Sequence, residues 1–293
     1  MKKQEKQKKL LFSGHESFQC RHLWLKKGYD YVKKGYKFSD EESVVHLGVG
    51  KNMVNSIRYW MKSFDLLTND DKLTEIAKKL LSNSGWDPYL EDEGSLWLLH
   101  YLLVKNNYAS TYSIIFNELR REKVEFTRNN FVNIIKRKVD SIKANNLSEK
   151  TISEDFSVFS KMYQRPAKSV KDKEDSFSGL LTDLDLLKSF NNEGEEYYVI
   201  DTSERNDVPD EIALYVILDS HVFDKSINIT AFEQNHNSLG CVFGMNRAGI
   251  LEKVENLANK YSFITFRDHA GIKELQFKRK PPALSILEKY YAN

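Results

Sequence analysis

Between Phe12 and His22 the chain reads Phe-Ser-Gly-His-Glu-Ser-Phe-Gln-Cys-Arg-His, placing two histidines, a glutamate, an arginine and a thiol within eleven residues. His15 or Glu16 could serve as a general acid or base, and Arg21 could steady a phosphoryl charge. The same spacing admits a structural reading. Ser13 and Glu16 stand three apart, as in a capping box, with His15 in the first turn and Arg21 paired to an acid. A second acidic stretch, Asp87 to Glu93 followed by Trp97 and His100, could hold a divalent metal through carboxylates. It lacks the spaced Asp and Glu-x-Lys pattern of common nucleases, so a capped turn into a helix over Ser95 to Val104 is the expectation. The sequence has no glycine-rich phosphate loop, no Gly-x-Ser-x-Gly elbow and no His-Glu-x-x-His. The only cofactor that the residues suggest is a divalent metal ion. His46 and His100, each on an otherwise apolar helix, are expected to be core histidines.

The strongest motif concerns binding. From Ser39, with Glu42 three residues on, a capped short helix is expected to stop at Leu47-Gly48, followed by a turn and a second helix. In that second helix Val54, Ile57, Met61 and Phe64 share one face. Lys51, Asn52, Asn55, Arg58, Tyr59 and Lys62 lie mostly on the other. A short helix, a glycine turn and an amphipathic helix with a basic, amide-rich side form a helix-turn-helix pattern. Arg58 and Lys51 suit phosphates or guanine edges, and Asn52 and Asn55 suit adenine in the major groove. Leu66 to Thr74 reads as a short wing before a helix at Glu75 to Leu81.

A weaker second copy lies near the carboxyl end. Asn246 to Ile250 opens a helix with Ile250, Leu251, Val254 and Leu257 inward, and Tyr261 to Phe277 reads as a two-stranded wing around Asp268 to Gly271. Its outer face, with Glu252, Lys253, Glu255 and Asn256, suits protein packing or dimerisation at least as well as DNA, although Lys278-Arg279-Lys280 could touch a phosphate backbone.

Elsewhere apolar residues recur mostly at three- and four-residue spacing, with strand-like runs at Glu196–Asp201 and Ile227–Thr230. Breaks at Ser82–Gly94 and Arg165–Ser178 divide the chain. The predicted fold is mainly α and multi-domain: a winged helix-turn-helix at 10–85, a helical domain at 86–165, and an α+β winged-helix-like domain at 175–293.

The 293 residues, 41% hydrophobic and 29% charged with 13 Gly and 5 Pro, exclude collagen-like and wholly disordered classes. The net charge of +2 is unevenly spread. Residues 1–79 hold 17 Lys or Arg against 10 Asp or Glu, whereas residues 172–211 hold 3 against 13. One end suits phosphate and another repels it. The apolar runs are too short to span a bilayer, and Met1 to Leu11 has lysines without an apolar h-region, so neither a membrane span nor a signal peptide is expected. Two cysteines 221 residues apart form no metal or disulfide pattern and predict a reducing, cytoplasmic setting.

Several blocks taken together carry a family likeness: Phe-Ser-Gly-His-Glu-Ser-Phe at 12–18 with Arg21, Trp24 to Gly28, Gly-Val-Gly-Lys-Asn-Met-Val at 48–54 with Ser56 to Trp60, and Asp-Pro-Tyr-Leu-Glu-Asp at 87–92 with Leu96 to Tyr101. They are specific in the first hundred residues and looser later, around Glu154-Asp155-Phe156 and Leu184 to Leu187. The chain resembles the SspB-like family of bacterial DNA phosphorothioation systems. The resemblance implies a part in phosphorothioate modification and antiviral defence, where such a protein is thought to nick DNA so that sulfur enters the backbone. It also implies DNA, a cysteine desulfurase, an ATP-dependent sulfur-activating enzyme and an ATPase as partners. No catalytic role transfers residue by residue, leaving His15, Glu16 and Arg21 as the candidates for chemistry. A transcriptional regulator that binds without cutting and an adaptor that docks proteins remain rival readings, and a homodimer suits symmetric DNA sites.

Overall fold

The computed structural model describes residues 10–141, 147–166, 178–220 and 225–292. The amino-terminal lysines and most of the expected boundary at 165–178 lie outside the described residues. The amino-terminal region packs α1 (Trp24–Lys33), α2 (Ser43–Leu47), α3 (Lys51–Ser63) and α4 (Glu75–Leu81) around Leu25, Ile57, Trp60 and Leu80, all fully buried. After α3 the hairpin is reduced to a single antiparallel bridge, Leu67 with Leu73, closed by Thr68 N–H donating to the Lys72 carbonyl. The expected Ser39–Glu42 cap does not form: α2 begins at Ser43 without a side-chain cap.

The next helix, α5 (Glu93–Asn106), is buried on every side from Gly94 to Val104. A helix apolar all round must be wrapped by others. Here α3, α6 (Ser110–Ile114), α10 (Asp210–Asp219) and α12 (Leu239–Phe243) do so. Its start is the expected capped turn. The Asp87 carboxylate accepts from Glu91 N–H and Asp92 N–H at 2.9 and 3.0 Å, and Asp92 accepts from Ser95 N–H at 3.1 Å. His100 is a core histidine as expected, bonded to Tyr163 Oη and the Val242 carbonyl, both at 2.8 Å. His46 is not. It lies exposed on α2, its ring stacked on Tyr36 with centroids 4.2 Å apart, because the five-residue α2 has only one buried side.

Two three-stranded antiparallel sheets follow, and they share one order. α6 runs through a π-type turn (Ile115–Leu119) into α7 (Arg120–Glu122) and then β1 (Glu125–Thr127), α8 (Arg128–Ser141), α9 (Glu149–Tyr163) and the hairpin β2 (Leu187–Asn192) and β3 (Glu195–Ile200). β3 returns to pair with β1, with Phe126 opposite Tyr198, giving the order β1-β3-β2. After α10 come β4 (Ser226–Asn228), α11 (Ile229–Gln234), α12, α13 (Arg247–Lys260), and the hairpin β5 (Ile264–His269) and β6 (Ile272–Phe277), ordered β4-β6-β5. A last helix, α14 (Leu284–Tyr290), packs on α10. The first sheet joins residues 125–127 to 195–200, so it crosses the boundary expected near 165–175, and the segment expected to be a helical domain contributes a strand. Among the described residues no helix is long and apolar enough to cross a membrane.

Candidate nucleic-acid interface

The turn before α3 is open. Gly48 is left-handed at φ +64°, a conformation that glycine adopts without penalty, and Gly50 caps α3 in extended conformation. A methyl group added at either glycine would meet nothing within 4 Å. Beyond it Lys51, Asn52 and Asn55 are exposed on α3. Basic and amide side chains at an uncovered helix start are what phosphates and base edges require.

The rest of the predicted binding set behaves differently. The Arg58 guanidinium makes a two-pronged contact with Asp71 at 2.8 to 3.1 Å. Lys62 is 7% exposed, 2.9 Å from Asp71 and donating to the Asn69 carbonyl. Partial desolvation acts upward on the Asp71 carboxyl, but the hydrogen bonds from Arg58 and Lys62 hold it below the usual carboxylate range. Tyr59 is likewise 7% exposed. Lys62 and Tyr59 therefore do not lie on an outer face. Gly14 lies against the Tyr59 ring and Asn69 with Asp71 holds Lys62, while the first turn of α3 emerges.

The loop Phe12–Phe18 sits against α3. Ser13, Glu16 and Ser17 all have positive φ, 66°, 50° and 65°. Three such residues in five need external support. Asp155 of α9 supplies it from a site 3% exposed, accepting from Ser13 N–H at 2.8 Å, His15 Nε2 at 3.0 Å and Thr111 Oγ1 at 3.0 Å. Ser17 N–H donates to His15 Nδ1 at 3.2 Å, which leaves the ring proton on Nε2, facing Asp155. The His15 ring stacks near Trp60, whose Nε1 donates to the Phe18 carbonyl at 3.0 Å. Gly14 has no room for a side chain, since a Cβ would lie 2.3 Å from the Tyr59 ring. Leu11 and Ser110 exchange two hydrogen bonds, and Leu180 N–H donates to the Cys20 carbonyl, fastening both ends of the segment.

The Ser13–Glu16 capping box is therefore absent, because both residues are left-handed and helix begins only at Trp24. The candidates for chemistry face three directions. His15 is 3% exposed and turned to Asp155. Glu16 is exposed, with Oε1 accepting from Asn55 Nδ2 at 3.3 Å. Arg21 is half-buried over the Phe18 and Trp24 rings. Only Glu16 meets the exposed start of α3. Asp155 was missed as a functional position in the sequence, since it lies 140 residues from His15. Among the described residues no three His, Cys, Asp or Glu side chains are placed to hold a metal ion.

The α12–α13 turn has the same local form. Gly244 is left-handed, and Asn246 caps α13 by accepting from Gly249 N–H at 2.9 Å. Here residues 201–205 cover the turn. A Cβ at Gly244 would lie 2.5 Å from the Asp201 carbonyl oxygen and one at Gly249 2.0 Å from that of Glu204. Ser203 pairs with the turn through Gly244 O and Asn246 N–H. Exposed beyond the turn are Glu252, Glu255 and Asn256, with Lys253 buried against Asp210.

A family model described as "Protein of unknown function (DUF4007)" matches residues 12–291. Among solved structures the chain is similar to one described as "Magnesium ion-bound SspB crystal structure", with a TM-score of 0.85 and 28% identity over 96% of this chain and 88% of that chain. It is similar in the same degree to one described as "SspB crystal structure", with a TM-score of 0.84, 28% identity and the same coverage. The resemblance to SspB-like proteins holds across nearly the whole chain. No curated protein matches it.

Proposed function

The chain belongs to the family described as "Protein of unknown function (DUF4007)", and from its site we propose that it is a DNA-binding protein of a phosphorothioation-linked defence system. The observation that carries this reading is the uncovered start of α3, where Gly48 and Gly50 leave an open turn and Lys51, Asn52 and Asn55 face outward. The likeness to SspB supports the setting, with a cysteine desulfurase, a sulfur-activating enzyme and an ATPase as the partners such a role entails. The shared order of strands and helices in the two sheets supports winged helices at about 110–200 and 210–277, with the reduced hairpin at Leu67–Leu73 as the wing of a third.

DNA would seat α3 by its first turn. Lys51 meets the phosphate backbone, Asn52 and Asn55 reach base edges, and Arg58 joins them only by leaving Asp71. Strand nicking is the finer part of the proposal. Glu16 is the acidic group next to this surface, and magnesium, where used, is commonly held by one or two carboxylates together with substrate phosphates. His15 acts here as a positioning residue, since its ring spans Asp155 and the Ser17 amide and so sets the direction of Glu16.

A supercoiled plasmid incubated with magnesium tests both parts. Nicked circles that disappear with Glu16→Gln support cleavage. Retardation of the plasmid without nicked circles supports the regulator reading, which the burial of His15 favours. Binding to a duplex that is unaffected by Lys51→Gln with Asn55→Ala would remove α3 from the interface and with it the main claim.

A further inference from the structure

A second basic surface lies far along the chain from α3. Where α13 ends and α14 passes, an open concavity of about 460 Å³ is bounded by Lys260, Tyr261, Phe263, Arg279, Lys289 and Glu211. Its cations come from three places in the chain: the last residue of α13, the segment after β6, and α14. The Arg279 guanidinium lies over the Phe263 ring at 5.8 Å and the Lys289 ammonium over the Tyr261 ring at 5.4 Å. Lys260 pairs with Glu211, which also accepts from Tyr261 Oη at 2.9 Å. Lys278, next to Arg279, donates to the Ser262 carbonyl at 3.0 Å on the same rim. Three cations from separate segments thus line the concavity together with Glu211. Tyr261 and Phe263 are 7% exposed and roofed by the cations, so a nucleobase has no ring face to stack on. An oxyanion is the ligand that cations converging from three segments on an open concavity suit.

We propose that this concavity is a phosphate-binding site, engaged by the sugar–phosphate backbone of a nucleic acid through Arg279, Lys289 and Lys260. The choice of nucleic acid as the source of the phosphate rests on the DNA reading of α3. The site itself does not. It adds a second anchor, so that a duplex is held at two points of the chain instead of one.

The test is fluorescence anisotropy of the whole chain with a labelled 30-base-pair duplex over a series of salt concentrations. Arg279→Gln with Lys289→Gln should flatten the slope of log affinity against log salt by about 1.8 units, ~0.9 for each phosphate contact. Arg279→Lys with Lys289→Arg, which keeps both charges, should restore it. Melting temperatures of all variants control for folding. If the glutamine pair melts early, the single variants Arg279→Gln and Lys289→Gln decide: a slope flattened by about 0.9 in each supports the site, and a wild-type slope in both overturns it. A slope unchanged in the glutamine pair overturns the proposal, whatever Lys51→Gln does. A slope flattened by the glutamine pair but not by Lys51→Gln upholds the concavity and refutes the α3 reading. No measurable duplex binding by the wild-type chain at low salt would overturn both.

Discussion

The turns that lead into α3 and α13 are built alike and enclosed differently. Each has a left-handed glycine, Gly48 or Gly244, between a five-residue helix and a longer one, and each is followed by a hairpin. Around Gly48 there is open space, whereas Gly244 and Gly249 press against the backbone of residues 201–205. One geometry is therefore left open in the first case and closed by packing in the second. The decision lies with a loop that covers one turn, while no described residue lies within 4 Å of a Cβ at Gly48.

Four measurements would break or sharpen that contrast. The largest effect is expected at the support of the open side. Asp155→Ala leaves His15, Ser13 N–H and Thr111 without their buried acceptor and should lower unfolding free energy by about 3–5 kcal/mol in urea titrations. A loss under about 1 kcal/mol would show that the loop does not depend on α9. Next come the two glycines themselves. Gly244→Ala forces a Cβ to 2.5 Å from a carbonyl and should cost about 3 kcal/mol, against about 1 kcal/mol for Gly48→Ala. Equal losses would erase the distinction between the covered and the open turn.

The third concerns acid. His100 holds the α12 end of the covered turn through the Val242 carbonyl, and burial lowers it from 6.5 to about 3. Between those values the unfolded chain binds a proton that the folded chain refuses, so stability is full above pH 6.5 and declines as the pH falls. The slope should reach about 1.4 kcal/mol per pH unit. Denaturant titrations at pH 7, 6 and 5 on the wild type and His100→Gln should show that component only in the wild type. The smallest effect belongs to the exposed lysine. Lys51→Gln should change stability by less than about 0.5 kcal/mol while weakening duplex binding and flattening its salt slope by about one unit. A large stability loss would mean that α3 begins inside the protein after all.

Local chemistry made α3, α13 with its Asn246 cap, the Asp87–Asp92 turn and the β5–β6 hairpin readable from the residues alone, since each is decided within about ten positions. What was not readable depends on distant partners. β1 is three residues long and has no pattern of its own; it is a strand because β3 lies beside it. Tyr59 and Lys62 fall on the polar side of a helical wheel, which knows nothing of Gly14 and Tyr108 meeting Tyr59 or of Asn69 and Asp71 holding Lys62. Ser13 and Glu16 had capping-box spacing, but Asp155 takes the Ser13 amide and holds the backbone in left-handed turns instead. The exposed lysine and asparagines of α3 were legible because exposure there follows from the first helical turn alone. The position of Glu16 beside Asn55 was not.

The loop at residues 12–18 is fastened by Ser110, Asp155 and Leu180, all far downstream. During synthesis at roughly 5–20 residues per second, it would leave the ribosome about ten to thirty seconds before its last fastening is made. A segment made early thus takes its final shape only after residues far behind it have emerged. The nascent protein would carry α3 without a finished surface beside it until Leu180 had emerged.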